Sequence, residues 1–228
     1  MEVKSENIVL EDEQRLKGID LSWFPFAARK YHISDQLSDY VIFSTIICPS
    51  DIPNRNGIAF PLEELVKFTD TPSPHMVYQG WRACPLHSEH DNEDCTKAIG
   101  VIFDVSLVKM PEPYGQGRIH NVVGVCGIDR TKAPEIAQKF ANGEIDTVSM
   151  GALADYFTCS ICGAVIDQNH HCSHIKGTSA DVNFEPVVDS FGNIHVAFLN
   201  AHNLAPIETS VVADPAWAPA LSDMILQK

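Results

Sequence analysis

The run Cys159-Ser160-Ile161-Cys162, followed by Cys172-Ser173-His174, constrains this chain more than any other stretch. Three thiols and an imidazole at this spacing can close a tetrahedral metal shell. Cys159 and Cys162 would grip the metal from a tight turn, with Gly163 letting the chain reverse. Cys172 and His174 would return from the other arm, and His170 or His171 could stand in for His174. A shell filled by four protein ligands is structural. The expectation is one structural Zn2+ per chain, with none needed for catalysis. The competing reading is a set of free or redox-active thiols.

The cysteine count of seven is odd, which argues against a full disulfide framework. No apolar run approaches the roughly 20 residues needed to span a bilayer. The N-terminus is polar and mixed in charge, unlike a signal or transit peptide. These features point to an intracellular chain with reduced thiols. With 228 residues, 45% of them hydrophobic, the sequence suits one elaborated domain. The predicted organisation is a charged leader over 1–20 and a single domain over 21–228, with a zinc-knuckle insertion at 158–176. Lys and Arg number 16 against 30 Asp and Glu, a net charge of −14. Such a chain lacks the basic surface that releases counterions from nucleic acid.

Tyr40–Cys48 reads as a buried strand, and Ala98–Val108 and Ile119–Ile128 as two more. Weaker strands are expected at Val77–Ala83, Ile145–Phe157, Ile194–Leu199 and Ile207–Val212. Pro61 opens a short helix through Phe68 with acids in its first turn. Asp129-Arg130-Thr131, Pro134 and Gly143 bracket a second helix ending at Ala141. Met110–Gly117 reads as a turn, residues 175–190 as loop and the segment from Asp214 as a tail. The sum is an α+β fold, rich in strands that form a closed or partly closed barrel with helices around it.

Ser149, in Val148-Ser149-Met150-Gly151, is a candidate nucleophile if a base accepts its proton. The segment Leu86-His87-Ser88-Glu89-His90-Asp91-Asn92 offers histidines, both of which read as solvated loop residues in the plainest case. His87, His90 and Asp91 could instead form a catalytic metal site. Glu208 lies in an apolar strand, where a carboxylate must face solvent or be paired. Orienting a histidine is one way to pair it, and Ser210 shares its face two residues on.

Four blocks together resemble the prohead (capsid maturation) proteases of tailed phages, of the T4-like and jumbo-phage type. They are Asn54-Arg55-Asn56-Gly57 with Phe60-Pro61, Glu89-His90 with Ala98-Ile99-Gly100, Val148-Ser149-Met150-Gly151, and Glu208-Thr209-Ser210-Val211-Val212 with Pro215-Ala216. The knuckle resembles an insertion of large-phage members. The resemblance implies an assemblin-like β-barrel surrounded by helices, as in herpesvirus proteases. It implies a serine endopeptidase with Ser149 as nucleophile, His90 as general base and Glu208 orienting the base. Asp214 or His202 are the other options for that third role. Backbone N–H groups of Met150 and Gly151 would hold the oxyanion. Its substrates would be phage scaffold, core and major capsid proteins and the enzyme itself, cut in the host cytoplasm inside the assembling prohead by a self-associating homo-oligomer. No nucleic acid or membrane partner is implied. T4-like members prefer glutamate before the cut, which Arg55, Arg82 or Arg130 could read. The alternatives are a zinc-stabilised, non-catalytic capsid or scaffold-associated protein and the metallohydrolase of His87, His90 and Asp91.

Overall fold

In the computed structural model the described residues are 16, 18–110, 119–167, 169–176, 183–184, 186–188, 191–217 and 222–225. Most of the expected leader and of the turn at Met110–Gly117 lies outside them.

Three long strands form the backbone of the fold. These are β1 (Tyr40–Pro49), β4 (Gly100–Lys109) and β5 (His120–Asp129), all antiparallel. With β3 (Pro85–Ser88), β6 (Val148–Leu153), β14 (Ala205–Val211) and β15 (Ser222–Ile225) they make a seven-stranded sheet, in the order β15-β1-β5-β4-β3-β14-β6. Only the β3–β14 pair is parallel. The sheet curls into a half-barrel that brings β6 back towards β1. A second sheet runs β2-β13-β7-β8, from Ile58–Ala59, Leu199–His202, Tyr156–Cys159 and Val165–Ile166. Two short ladders complete the strands: β9 (Ile175–Lys176) with β10 (Asn183–Phe184), and β11 (Pro186–Val188) with β12 (Ile194–Val196). The fold is thus α+β, dominated by strands.

Both faces of the main sheet are covered, so β1 is apolar without alternation. Val41, Phe43 and Ile47 enter the core inside the curl, where Phe43 packs on Phe140 with ring centroids 4.2 Å apart. Phe140 and Ala137 belong to α3 (Pro134–Ala141). Tyr40 and Ile42 face the other way, against α1 (Phe24–Tyr31). There Phe24, Tyr40 and Phe103 meet edge to face, the geometry aromatic quadrupoles favour.

Several expected elements differ. The helix after Pro61 is a single turn, α2 (Leu62–Leu65). Val77–Trp81 is a 3₁₀ turn rather than a strand, burying Val77 and Trp81 four residues apart. Ile145–Phe157 is two strands, β6 and β7, broken where the Asp155 amide donates to the His202 carbonyl at 3.0 Å. Ile194–Leu199 likewise divides between β12 and β13. The C-terminal tail adds β15 to the edge of β1. Among the described residues no helix is long and apolar enough to cross a membrane.

Candidate active site and metal centre

The strand pairing builds one polar row across three strands. In β14, Glu208 and Ser210 share a face because side chains alternate. Ser210 lies beside His87 of β3 on one side and Ser149 of β6 on the other, and Glu208 lies beside Gly151. Aligned neighbours share a face, so His87, Ser210, Ser149, Glu208 and Gly151 occupy one patch. Glu208, Ser210 and His87 are fully or almost fully buried, and Ser149 is 9% exposed.

His90 completes the patch from the turn after β3. Its Nδ1 lies 2.8 Å from Glu208 Oε1. The Ser210 hydroxyl donates to Glu208 Oε2 at 2.6 Å and accepts from the His90 backbone N–H at 3.1 Å. One serine therefore ties the acid to the backbone of the histidine. Both Glu89 and His90 are left-handed, at φ 50° and 58°. That conformation is costly for side chains with a Cβ and clusters at functional sites. Here it is held by the Glu89 amide on the Val211 carbonyl at 3.0 Å, the Asp91 amide on the Ser88 carbonyl at 3.0 Å, and Glu89 Oε1 accepting from the Ala213 amide at 3.2 Å.

The Glu208 hydrogen bond raises the His90 pKa above its ordinary value, against partial burial, which lowers it. With Nδ1–H donating to Glu208, the lone pair sits on Nε2, the tautomer a general base needs. His87 behaves oppositely. Burial holds its pKa down despite Glu208 and Asp91 nearby, and its Nδ1 has no hydrogen-bond partner among the described residues. The expected loop histidine is thus a buried, neutral strand residue.

Of the three options for the acid, only Glu208 meets His90. Asp214 pairs with Arg55 at the surface. His202 Nδ1 donates to Glu64 at 3.1 Å, its Nε2 lies 2.9 Å from the Thr158 hydroxyl, and its ring stacks on Tyr156, bracing β13, β7 and α2. Nor do His87, His90 and Asp91 form a ligand set: Asp91 pairs with Lys97 at 2.9 Å, and the only metal-competent cluster among the described residues lies elsewhere.

Ser149, His90 and Glu208 line one cavity of about 440 Å³. All four sequence blocks reach it, through Asn54 and Asn56, His90, Val148 to Gly151, and Glu208 with Ala216. The Arg55 amide donates to the Ala216 carbonyl at 2.8 Å, locking the first block to the last. No hydrogen bond joins His90 Nε2 to Ser149 Oγ; such contacts commonly tighten only when substrate binds. The Val212 amide donates to the Thr147 carbonyl at 3.2 Å. Antiparallel alternation then turns the amides of Ser149 and Gly151 towards β14 and that of Met150 to the outer edge of β6. Among the described residues no strand pairs with that edge. Of the two expected oxyanion donors, Met150 is free to serve, whereas the Gly151 amide faces its ladder partner.

Gly151 has a different role, invisible without the register. A Cβ there would lie 2.5 Å from Glu208 Oε1. Only glycine leaves room for the carboxylate. The bridging role of Ser210 was legible only as its placement two residues after an acid in a strand.

The Cys/His knuckle forms a separate cluster. One ligand atom from each of Cys159, Cys162, Cys172 and His174 lies within 4.8 Å of the others. His174 Nδ1 is 3.8 Å from Cys159 Sγ and 3.9 Å from Cys172 Sγ. Tetrahedral zinc with ordinary bond lengths places S and N about 3.6 Å apart. The donor set therefore fits, and the group could hold a metal ion. Gly163 turns the chain at φ 69°, with its amide on the Cys159 carbonyl at 2.9 Å. The Cys162 thiol is lowered to about 7 by the Ala164 amide and then by His174, so it readily offers a thiolate. His170 instead binds Asp167 at 2.9 Å. Cys159, Ile166, Ile175, Ala197 and Leu199 make a small core beneath the cluster.

No family model matches this chain, and the comparisons with curated proteins and with solved structures found no match.

Proposed function

We propose that the chain is a serine endopeptidase of phage capsid maturation, acting on scaffold, core and capsid proteins within the assembling prohead. The observation that carries this is the His90–Glu208 hydrogen bond at 2.8 Å in the same cavity as Ser149. Buried and tied down by Ser210, Glu208 fixes the His90 ring and stabilises the imidazolium formed when Nε2 takes the serine proton. Ser149 Oγ then attacks the scissile carbonyl. The Met150 amide stabilises the resulting oxyanion, and His90 returns the proton to the leaving amine. The ordered resemblance of four sequence blocks, now seen to converge on one cavity, supports the assemblin-like assignment and the phage setting.

The knuckle metal is proposed to be a structural zinc, held by three thiolates and His174 Nδ1. It would staple the chain just beyond the strand that bears Ser149.

The test is Ser149→Ala co-expressed with scaffold and capsid proteins. Loss of processing with unchanged thermal stability is the expected result; processing at the wild-type rate overturns the proposal.

A further inference from the structure

The polar row across β3, β14 and β6 holds one buried titratable group that the proposed chemistry leaves unused. His87 is 1% exposed. It pairs in register with Ser210, the residue that ties Glu208 to the His90 backbone. Side chains opposite each other on paired strands share a face. Just beyond, the chain turns sharply through His90, and the Asp91 amide returns to the Ser88 carbonyl at 3.0 Å. That return brings the Asp91 backbone beside the His87 ring.

Nδ1 of His87 is buried and has no hydrogen-bond partner among the described residues. A neutral ring tolerates this, because only a lone pair goes unmet. A second proton would put a donor on Nδ1 and a charge away from water. Three charged groups face the ring: Glu208 of β14, Asp91 of the turn and Lys132 ahead of α3. Lys132 carries the same sign and donates to the Tyr31 carbonyl at 2.8 Å. Asp91 is held at the surface by Lys97 at 2.9 Å. β4 pairs with β3 through Gly100 and Val101, which carry no charge. Glu208 is therefore the group left to answer a charged His87, and its Oε1 is the oxygen that holds the other titratable ring, His90.

We propose that His87 is a positioning residue of the catalytic group, seating Glu208 and the His90 turn while its ring is neutral and drawing Glu208 away from His90 once it takes a proton. This role rests on the protease reading of Ser149 and His90. Burial holds the His87 pKa below its ordinary value, whereas Glu208 raises that of His90, so the two rings take up their protons at separate pH values.

The experiment follows kcat/KM against pH on a peptide that the full chain cleaves in its co-expressed scaffold protein. In wild type the acid limb should steepen from a logarithmic slope of about one, as His90 protonates, to about two below pH 6.5, as His87 follows. His87→Gln cannot take a proton, and its slope should stay near one throughout. His87→Leu should lower kcat about tenfold with KM within about twofold, the loss of one orienting hydrogen bond. His87→Gln, which can still donate to the Asp91 backbone, should recover part of that loss. In parallel, the histidine rings of the Ser149→Ala protein are titrated by nuclear magnetic resonance, a readout that needs no turnover. The His90 signal should move in two steps, and His87→Gln in the same background should remove the lower one. A wild-type acid limb of slope near one, a steep limb that persists in His87→Gln, or a single His90 step overturns the proposal. Cleavage unaffected by Ser149→Ala overturns the protease reading itself, and the resonance titration still decides whether His87 acts on His90.

Discussion

Gly151→Ala is the sharpest perturbation the site offers, because it touches neither the proposed nucleophile nor the proposed base. The new methyl would lie 2.5 Å from Glu208 Oε1, 3.1 Å from Cγ and 3.2 Å from Cδ. Glu208 is wholly buried and its other oxygen is held by Ser210 at 2.6 Å, so the side chain has little room to swing. Relief requires Oε1 to leave His90 Nδ1. Hydrogen bonds to charged groups contribute about 1.5–3 kcal/mol. At about 1.4 kcal/mol per factor of ten, kcat/KM should fall about 10- to 150-fold. The backbone at Gly151 is outside the left-handed region, so alanine is conformationally allowed, and the amide and its ladder bond remain. The loss should therefore appear in activity far more than in folding. Nuclear magnetic resonance titration should show the His90 pKa falling back towards 6.5 as its partner withdraws. A double-mutant cycle isolates the cause: in a Glu208→Ala background the added methyl meets open space, and the further loss should be under about threefold. Wild-type turnover in Gly151→Ala with an unchanged His90 titration would refute the coupling between this glycine and the histidine.

Other measurements probe the rest of the molecule. Because Glu208 raises the His90 pKa and only neutral imidazole can act as base, kcat/KM should rise with pH through a midpoint above 6.5, and Glu208→Gln should move that midpoint down. The same raised pKa makes the pair's stabilisation fully present below about pH 6.5 and lost as pH climbs through the folded-state value, so the Tm gap between wild type and His90→Gln should narrow as pH rises. Metal analysis should find about one zinc per chain, and chelation or Cys172→Ser should lower Tm; under a tenth of a zinc per chain in carefully purified protein sinks the assignment. Gly100→Ala would drive a Cβ to 1.9 Å from the Gly127 carbonyl oxygen inside the β4–β5 ladder. It should cost about 3 kcal/mol or more in urea unfolding, whereas Gly163→Asn, at a left-handed turn with open space around it, should be tolerated.

The long strands were legible because their composition reports burial directly. Tyr40–Cys48 is apolar at nearly every position, and the structure places a packed layer on each side of it. The 3₁₀ turn at Val77–Trp81 was not legible, since a short apolar run fits a strand or a helical turn equally. Within it Gly80 lies against the Pro206 ring, where a Cβ would come within 3.1 Å. The knuckle ligands could be read from spacing because all four sit within residues 159–174. Glu208 could be suspected from its apolar setting, but not its choice of partner. That depends on β3 and β14 lying parallel and on the left-handed turn at Glu89–His90, both products of tertiary pairing. Gly151 was unreadable for the same reason: its meaning is the residue across the ladder.

These features have one property in common. Each is a poor choice for stability alone. A buried carboxylate could be replaced by a well-packed apolar residue at little cost. Two consecutive left-handed residues store strain that glycine would relieve. A glycine inside a strand forgoes packing and costs chain entropy. An unpaired edge beside a cavity invites association. All four occur within one patch around Ser149. A structural account must treat their coincidence as accident. A catalytic account needs every one of them: the carboxylate to orient His90, the turn to aim it, the glycine to admit the carboxylate, and the edge to receive a peptide.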